Sequence, residues 1–109
     1  MTNHPNFTFI KTDKKLTRLN FDDILFTKRL GNYVEIFVKN NRKFVYYKSM
    51  KDLIERLPNG FMRIHNSYIV NLTNIEYYED NQITIEDVRI TVAKSYRDCF
   101  IEALGKIML

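Results

Sequence analysis

Over residues 33–38 apolar and polar positions alternate with period two: Val34, Ile36 and Val38 share one face, and Tyr33, Glu35 and Phe37 the other. That spacing is the mark of a strand with one face buried. Asn40-Asn41 follows, and Asn tolerates the positive φ of tight hairpin turns, so residues 39–42 are expected to turn the chain into a partner strand over 43–47. Earlier, residues 7–10, 15–19 and 24–26 are rich in β-branched and aromatic side chains and read as three further strands. The period then changes. Met50, Leu53, Ile54 and Leu57 fall at i, i+3, i+4 and i+7, one face of a short helix. Ser49 is its expected N-cap, with Asp52 three residues on, and Pro58-Asn59-Gly60 stops it. Strand periodicity returns at 61–64, and residues 82–85 and 88–92 flank Glu86-Asp87 as a hairpin. A second helical stripe of Tyr96, Cys99, Phe100, Ala103, Leu104 and Ile107 closes the chain, opened by another Ser-x-x-Asp pair, Ser95 and Asp98. The expected fold class is mostly β with two short helices. Strands and helices do not alternate, which disfavours a doubly wound parallel sheet and its phosphate-binding turn.

Composition narrows the classes. A chain of 109 residues, 45% hydrophobic and 28% charged, suits one folded domain. No apolar run approaches the ~18–20 residues that span a bilayer, and residues 1–9, MTNHPNFTF, lack the apolar stretch of a secretory signal. Cytoplasm is therefore the expected location, with no membrane partner. A single cysteine, Cys99, makes no internal disulfide, and with only His4 and His65 beside it a His/Cys metal site lacks ligands. Charge changes the picture more. The net charge is +4, but 13 of the 17 Lys and Arg and only 6 of the 13 Asp and Glu precede Ile64, leaving +7 before that residue and −3 from it onward. Such a split suits a basic region facing a polyanion.

Catalytic chemistry is sparse. His65 and Ser67 stand two residues apart and would share a face of an extended segment, yet no acid to orient the ring is near in sequence, so a turn-capping pair is the better reading. Cys99 falls on the apolar stripe, where it is expected to behave as a small hydrophobe. Asp22-Asp23, Glu79-Asp80 and Glu86-Asp87 lack the alternating oxygen ligands of a calcium loop. Gly31, Gly60 and Gly105 are isolated, so no Gly-rich phosphate loop exists. The expectation is a protein that is not an enzyme and takes no cofactor.

Residues 61–72 read Phe-Met-Arg-Ile-His-Asn-Ser-Tyr-Ile-Val-Asn-Leu. This order resembles the signature of the LytTR DNA-binding domain, an effector domain of response regulators, which has the form Phe-x-Arg-x-His-(Arg or Asn)-Ser-Tyr-(Ile/Leu/Val)-Val-Asn. The likeness continues on both sides. Residues 24–26 and Gly31-Asn32-Tyr33-Val34 look like the family's early strand and the loop after it, 50–57 like its short helix, and 90–97 like its closing strand and Ser-Arg/Lys-Ser-Tyr-Arg turn, for a coverage of about 7–104.

The resemblance implies an elongated arrangement of three small antiparallel sheets with two short helices. It also implies sequence-specific binding of double-stranded DNA by loops that enter the major groove and bend the duplex, in a bacterial transcription regulator of the two-component class. Carried over by position, Asn32 in the loop 28–32, Asn66 and Lys94 are base contacts. Lys28, Arg29, Arg63, His65, Ser67, Tyr68, Ser95 and Arg97 are candidates for the DNA backbone. Asn suits the adenine N6/N7 edge, and Lys or Arg suits guanine O6/N7. There are two departures from the family pattern: Thr27 and Lys28 stand where an acidic residue is common, and Ala93 where Ser is frequent. Tyr68, Ile69, Val70 and Leu72 are also expected to pack in the core. The implied organisation is a flexible arm at 1–6 and a DNA-binding domain at 7–109, monomeric or weakly dimeric in isolation, acting on repeated half-sites either alone or behind a receiver domain. Two other classes stay open from the residues themselves. One is a protein-interaction module in which Tyr46, Tyr47, Tyr77 and Tyr78 form one patch; the other is a single-stranded nucleic-acid binder with aromatics as stacking platforms.

Overall fold

The computed structural model describes residues 6–109. Among them, ten strands form three antiparallel sheets. Strands β1 (Phe7–Thr12) and β2 (Lys15–Asn20) make a hairpin. Strands β3 (Ile24–Leu30), β4 (Tyr33–Val38), β5 (Arg42–Tyr46), β6 (Phe61–His65) and β7 (Tyr68–Asn71) make a central sheet in the order β5-β4-β3-β7-β6. Strands β8 (Tyr77–Glu79), β9 (Gln82–Ile85) and β10 (Val88–Thr91) make the third sheet, and helices α1 (Met50–Arg56) and α2 (Arg97–Gly105) complete the fold. Of the segment expected to be an arm, residues 1–5 lie outside the described residues. The Asn6 carbonyl accepts the Phe21 N–H at 2.8 Å.

The central sheet is covered on both faces, so there are two cores. On one face Ile24, Val34, Ile36, Val38 and Ile69 meet Ile10 and Leu19 of the hairpin and Met50 and Leu53 of α1. On the other, Leu25, Phe26, Ile64 and Val70 meet Ile83, Ile85, Ile90 and Val92 of the third sheet and its outgoing chain, and Phe100 of α2. Strand β3, in the middle, is therefore buried on both sides over Ile24, Leu25, Phe26 and Thr27, the continuous burial a two-sided layer imposes. A bulge makes this possible. Register shifts between Ile24 and Phe26, so Leu25 and Phe26 both enter the second core.

Local chemistry agrees with most of the pattern. Asn40 and Asn41 both hold positive φ, 68° and 58°, and close the β4–β5 hairpin. Asp80 and Asn81 do the same for β8–β9 at 54° and 63°. The Ser49 hydroxyl accepts the Asp52 N–H at 3.1 Å and caps α1.

Four expectations need correction. Strand β3 runs on through Lys28, Arg29 and Leu30, so the loop expected at 28–32 shrinks to the two-residue turn Gly31-Asn32. Ser95 does not cap α2: Lys94–Tyr96 is a 3-10 turn, the N-cap position is Tyr96, and no side chain bonds there. Cys99 is exposed, because in so short a helix only Phe100 becomes fully buried. Ile107 lies past the helix end and is 70% exposed, so the apolar stripe stops short of it.

Candidate nucleic-acid interface

Antiparallel order decides which turns meet. Strand β3 runs toward Gly31-Asn32, β7 pairs antiparallel to β3 and starts at Tyr68, and β6 pairs antiparallel to β7 and ends at His65. The turns Gly31-Asn32 and Asn66-Ser67 therefore sit at the same end of the central sheet. Strand β5 also ends there, since Tyr46 pairs Val34, which brings Lys48 and the start of α1 to the same rim.

One hydrogen bond ties the two turns together, and another braces the second turn from within its own hairpin. The Arg29 N–H donates to the Ser67 carbonyl at 2.8 Å, and the Arg63 Nη2 donates to the Asn66 carbonyl at 2.9 Å. The backbone of Gly31 takes the positive φ (+58°) that the first turn position requires, which leaves Asn32 exposed at the tip. In the second turn the Ser67 N–H donates to His65 Nδ1 at 3.0 Å. His65 is thus a turn-capping residue, and its ring edge packs on Tyr68 with centroids 5.6 Å apart.

The third region is joined through a second bulge. Register shifts between Arg63 and His65, and the extra residue, Ile64, directs its carbonyl to the Ala93 N–H at 2.8 Å. That bond delivers Lys94, Ser95 and Tyr96 beside the Asn66 turn, where the Tyr96 hydroxyl donates to Asn66 Oδ1 at 3.0 Å. Arg97 donates from Nε to the Val92 carbonyl at 3.1 Å, so its terminal nitrogens remain for another acceptor.

Between the Gly31-Asn32 turn and α1 lies a groove of about 360 Å3 lined by Arg29, Asn32, Lys48, Lys51 and Arg63, with no acidic residue in its wall. Among the described residues the one ion pair joins Lys43 to Glu35 at 2.8 Å, so these four cations have no carboxylate within 4 Å. Lys48 and Lys51 escape a reading by motif because only the sheet order brings them to the rim. Lys28 and Arg29, grouped together by sequence, point to opposite faces, since neighbours in a strand alternate.

The four tyrosines do not form one patch. Tyr46 packs against the first core and Tyr78 against the second, where its ring lies 5.0 Å from Phe100. Among the described residues no group of three or more His, Cys, Asp or Glu is placed to hold a metal, and no helix is long and apolar enough to cross a membrane.

Known proteins match this chain in sequence and in fold. The sequence profile described as the LytTr DNA-binding domain matches residues 14–105. Accessory gene regulator protein A of Staphylococcus epidermidis is 27% identical over 92 residues, covering 84% of this chain and 36% of the relative. The Staphylococcus aureus protein of the same name gives the same figures. The chain thus spans about a third of the length of these curated relatives. Among solved structures, the LytTr DNA-binding domain of a protein described as a methyl-accepting/DNA response regulator from Bacillus cereus superimposes with a TM-score of 0.81, at 21% identity, over 94% of this chain and 99% of that one.

Proposed function

The chain belongs to the LytTr DNA-binding domain family, and from that premise we propose that it binds double-stranded DNA sequence-specifically through turns in the major groove, as the effector of a bacterial transcription regulator. The observation that carries this reading is the acid-free groove of Arg29, Lys48, Lys51 and Arg63, which opens onto Asn32 at the end of the sheet that also holds Asn66. Cations without carboxylate partners release counterions when they neutralise phosphates, and this supplies most of the sequence-independent affinity. Asn32, Asn66 and Lys94 are the base readers in this proposal. Lys28, Arg29, Lys48, Lys51, Arg63, His65, Ser67, Ser95 and Arg97 set register on the sugar-phosphate chain, contacts that position without specifying sequence. Work in the cytoplasm, on repeated half-sites and coupled to a receiver domain, completes the proposal.

The test is a selection from a randomised duplex pool, followed by binding of the preferred duplex over a range of salt. The logarithm of affinity should fall linearly with the logarithm of salt at about −0.9 per neutralised phosphate. Asn66→Ala should relax preference at one base pair and leave non-specific affinity nearly intact. A flat salt response, or an unchanged preferred sequence in Asn66→Ala, would argue against the reading.

A further inference from the structure

Asn66 is exposed at the tip of its turn, and an exposed amide is ordinarily free to rotate by half a turn and exchange its donor and acceptor ends. Here it is not free. The Tyr96 hydroxyl donates to Asn66 Oδ1 at 3.0 Å, across a separation of 30 residues. A phenolic oxygen gives up lone-pair density to its ring, so it is a better donor than acceptor and selects the amide's oxygen end. The hydroxyl itself is anchored, because the Tyr96 ring packs against the second core and the chain before it is pinned by the bond from the Ala93 N–H to the Ile64 carbonyl. The other side of the turn is held by Arg63, which occupies the Asn66 backbone carbonyl at 2.9 Å.

We propose that Tyr96 is a positioning residue for specificity: its hydroxyl fixes the Asn66 amide with Nδ2 as the outward group, so that Asn66 meets an acceptor on the major-groove edge and rejects cytosine. This rests on the reading of Asn66 as a base contact. In the major groove guanine presents N7 and O6, adenine N7, and thymine O4 as acceptors, while cytosine presents its N4 amino group as a donor. Adenine also carries a donor, its N6 amino group, but beside an N7 acceptor, so cytosine is the one base that offers a fixed Nδ2 no acceptor on this edge. Without the hydroxyl, the amide turns over at little cost and offers Oδ1 to the cytosine amino group.

Tyr96→Phe removes one oxygen and keeps the ring that packs in the core, so the domain folds. The probe is a duplex pool randomised over the bound region, with enrichment read by sequencing for wild type, Tyr96→Phe, Asn66→Ala and the double variant. Wild type should disfavour cytosine at the Asn66-dependent position by about 10-fold or more, within the range of a good base contact. Tyr96→Phe should reduce that bias several-fold at this position alone, with the salt slope unchanged, and should add nothing in the Asn66→Ala background. If Asn66→Ala alters preference and Tyr96→Phe leaves the cytosine bias intact, the positioning role is overturned while Asn66 stays a reader. The same follows if Tyr96→Phe lowers affinity evenly at every position, the mark of a merely structural ring. An unchanged profile for Asn66→Ala would remove both claims.

Discussion

Asn71 closes the family signature, and it works inside the protein. Only 3% exposed, it donates from Nδ2 to the carbonyls of Phe21 at 3.2 Å and Ile24 at 3.0 Å, and accepts from the Thr73 N–H and hydroxyl at Oδ1. It stitches the start of β3 to the end of β7. Asn71→Ala should cost about 1–3 kcal/mol, the loss of several side-chain hydrogen bonds worth about 0.5–1.5 kcal/mol each, read as a lower midpoint in urea. Affinity per folded molecule should not change. Both carbonyls keep a second donor, Ile24 in Asn74 Nδ2 at 3.1 Å and Phe21 in the Ile24 N–H, so neither is left bare. The signature thus divides by burial: Ile64, Ile69, Val70 and Asn71 are interior, and Asn66 is at the surface. The apolar character of Ile69 and Val70 makes that division partly readable, since both are expected inside. The Ile64 bulge, which puts two neighbours on one side, is set by tertiary pairing and has no signal of its own in the chain.

Elements with their own chemistry were legible. The Asn40-Asn41 hairpin, the strand Tyr33–Val38 and the helix capped by Ser49 all follow from local rules. Elements that owe their form to neighbours were not. Tyr77–Glu79 becomes a strand through pairing with β9, although it is too short to alternate. The entry to α2 is decided by the bond from Ala93 to Ile64, which draws Lys94–Tyr96 into a 3-10 turn and delays the helix past the Ser95 position. Helix α1 gives a measurable case. Ser49→Ala removes its cap, worth about 1 kcal/mol, and should lower the melting temperature by about 4–8 °C. Because α1 carries Lys51 into the groove, duplex affinity should fall modestly as well. Intact affinity in a destabilised variant would place Lys51 outside the contact surface.

At the scale of the whole molecule, strand parity does the sorting. Turns after an upward strand collect at one rim, so residues far apart in sequence, Asn32, Lys48 and Asn66, come to the same edge. Lys48→Ala with Lys51→Ala should reduce the salt slope by about 1.8, two phosphates at 0.9 each, while the preferred sequence stays as it was. A changed preferred sequence would assign these lysines to base reading. The domain measures 42 Å in its longest dimension, little more than one turn of duplex at about 34–36 Å. Two half-sites a turn apart would therefore call for two copies.

The same parity has a practical side. The hairpin tip at Asn40-Asn41 lies at the far rim of the central sheet, solvent-exposed and separated from Asn32 by the length of β4. A dye coupled through Asn41→Cys, with Cys99→Ser to leave one thiol, would slow in its tumbling when duplex docks yet touch none of it. Such a tip is also the natural joint for a fused reporter or an inserted peptide, because a guest there lengthens the molecule away from its cargo.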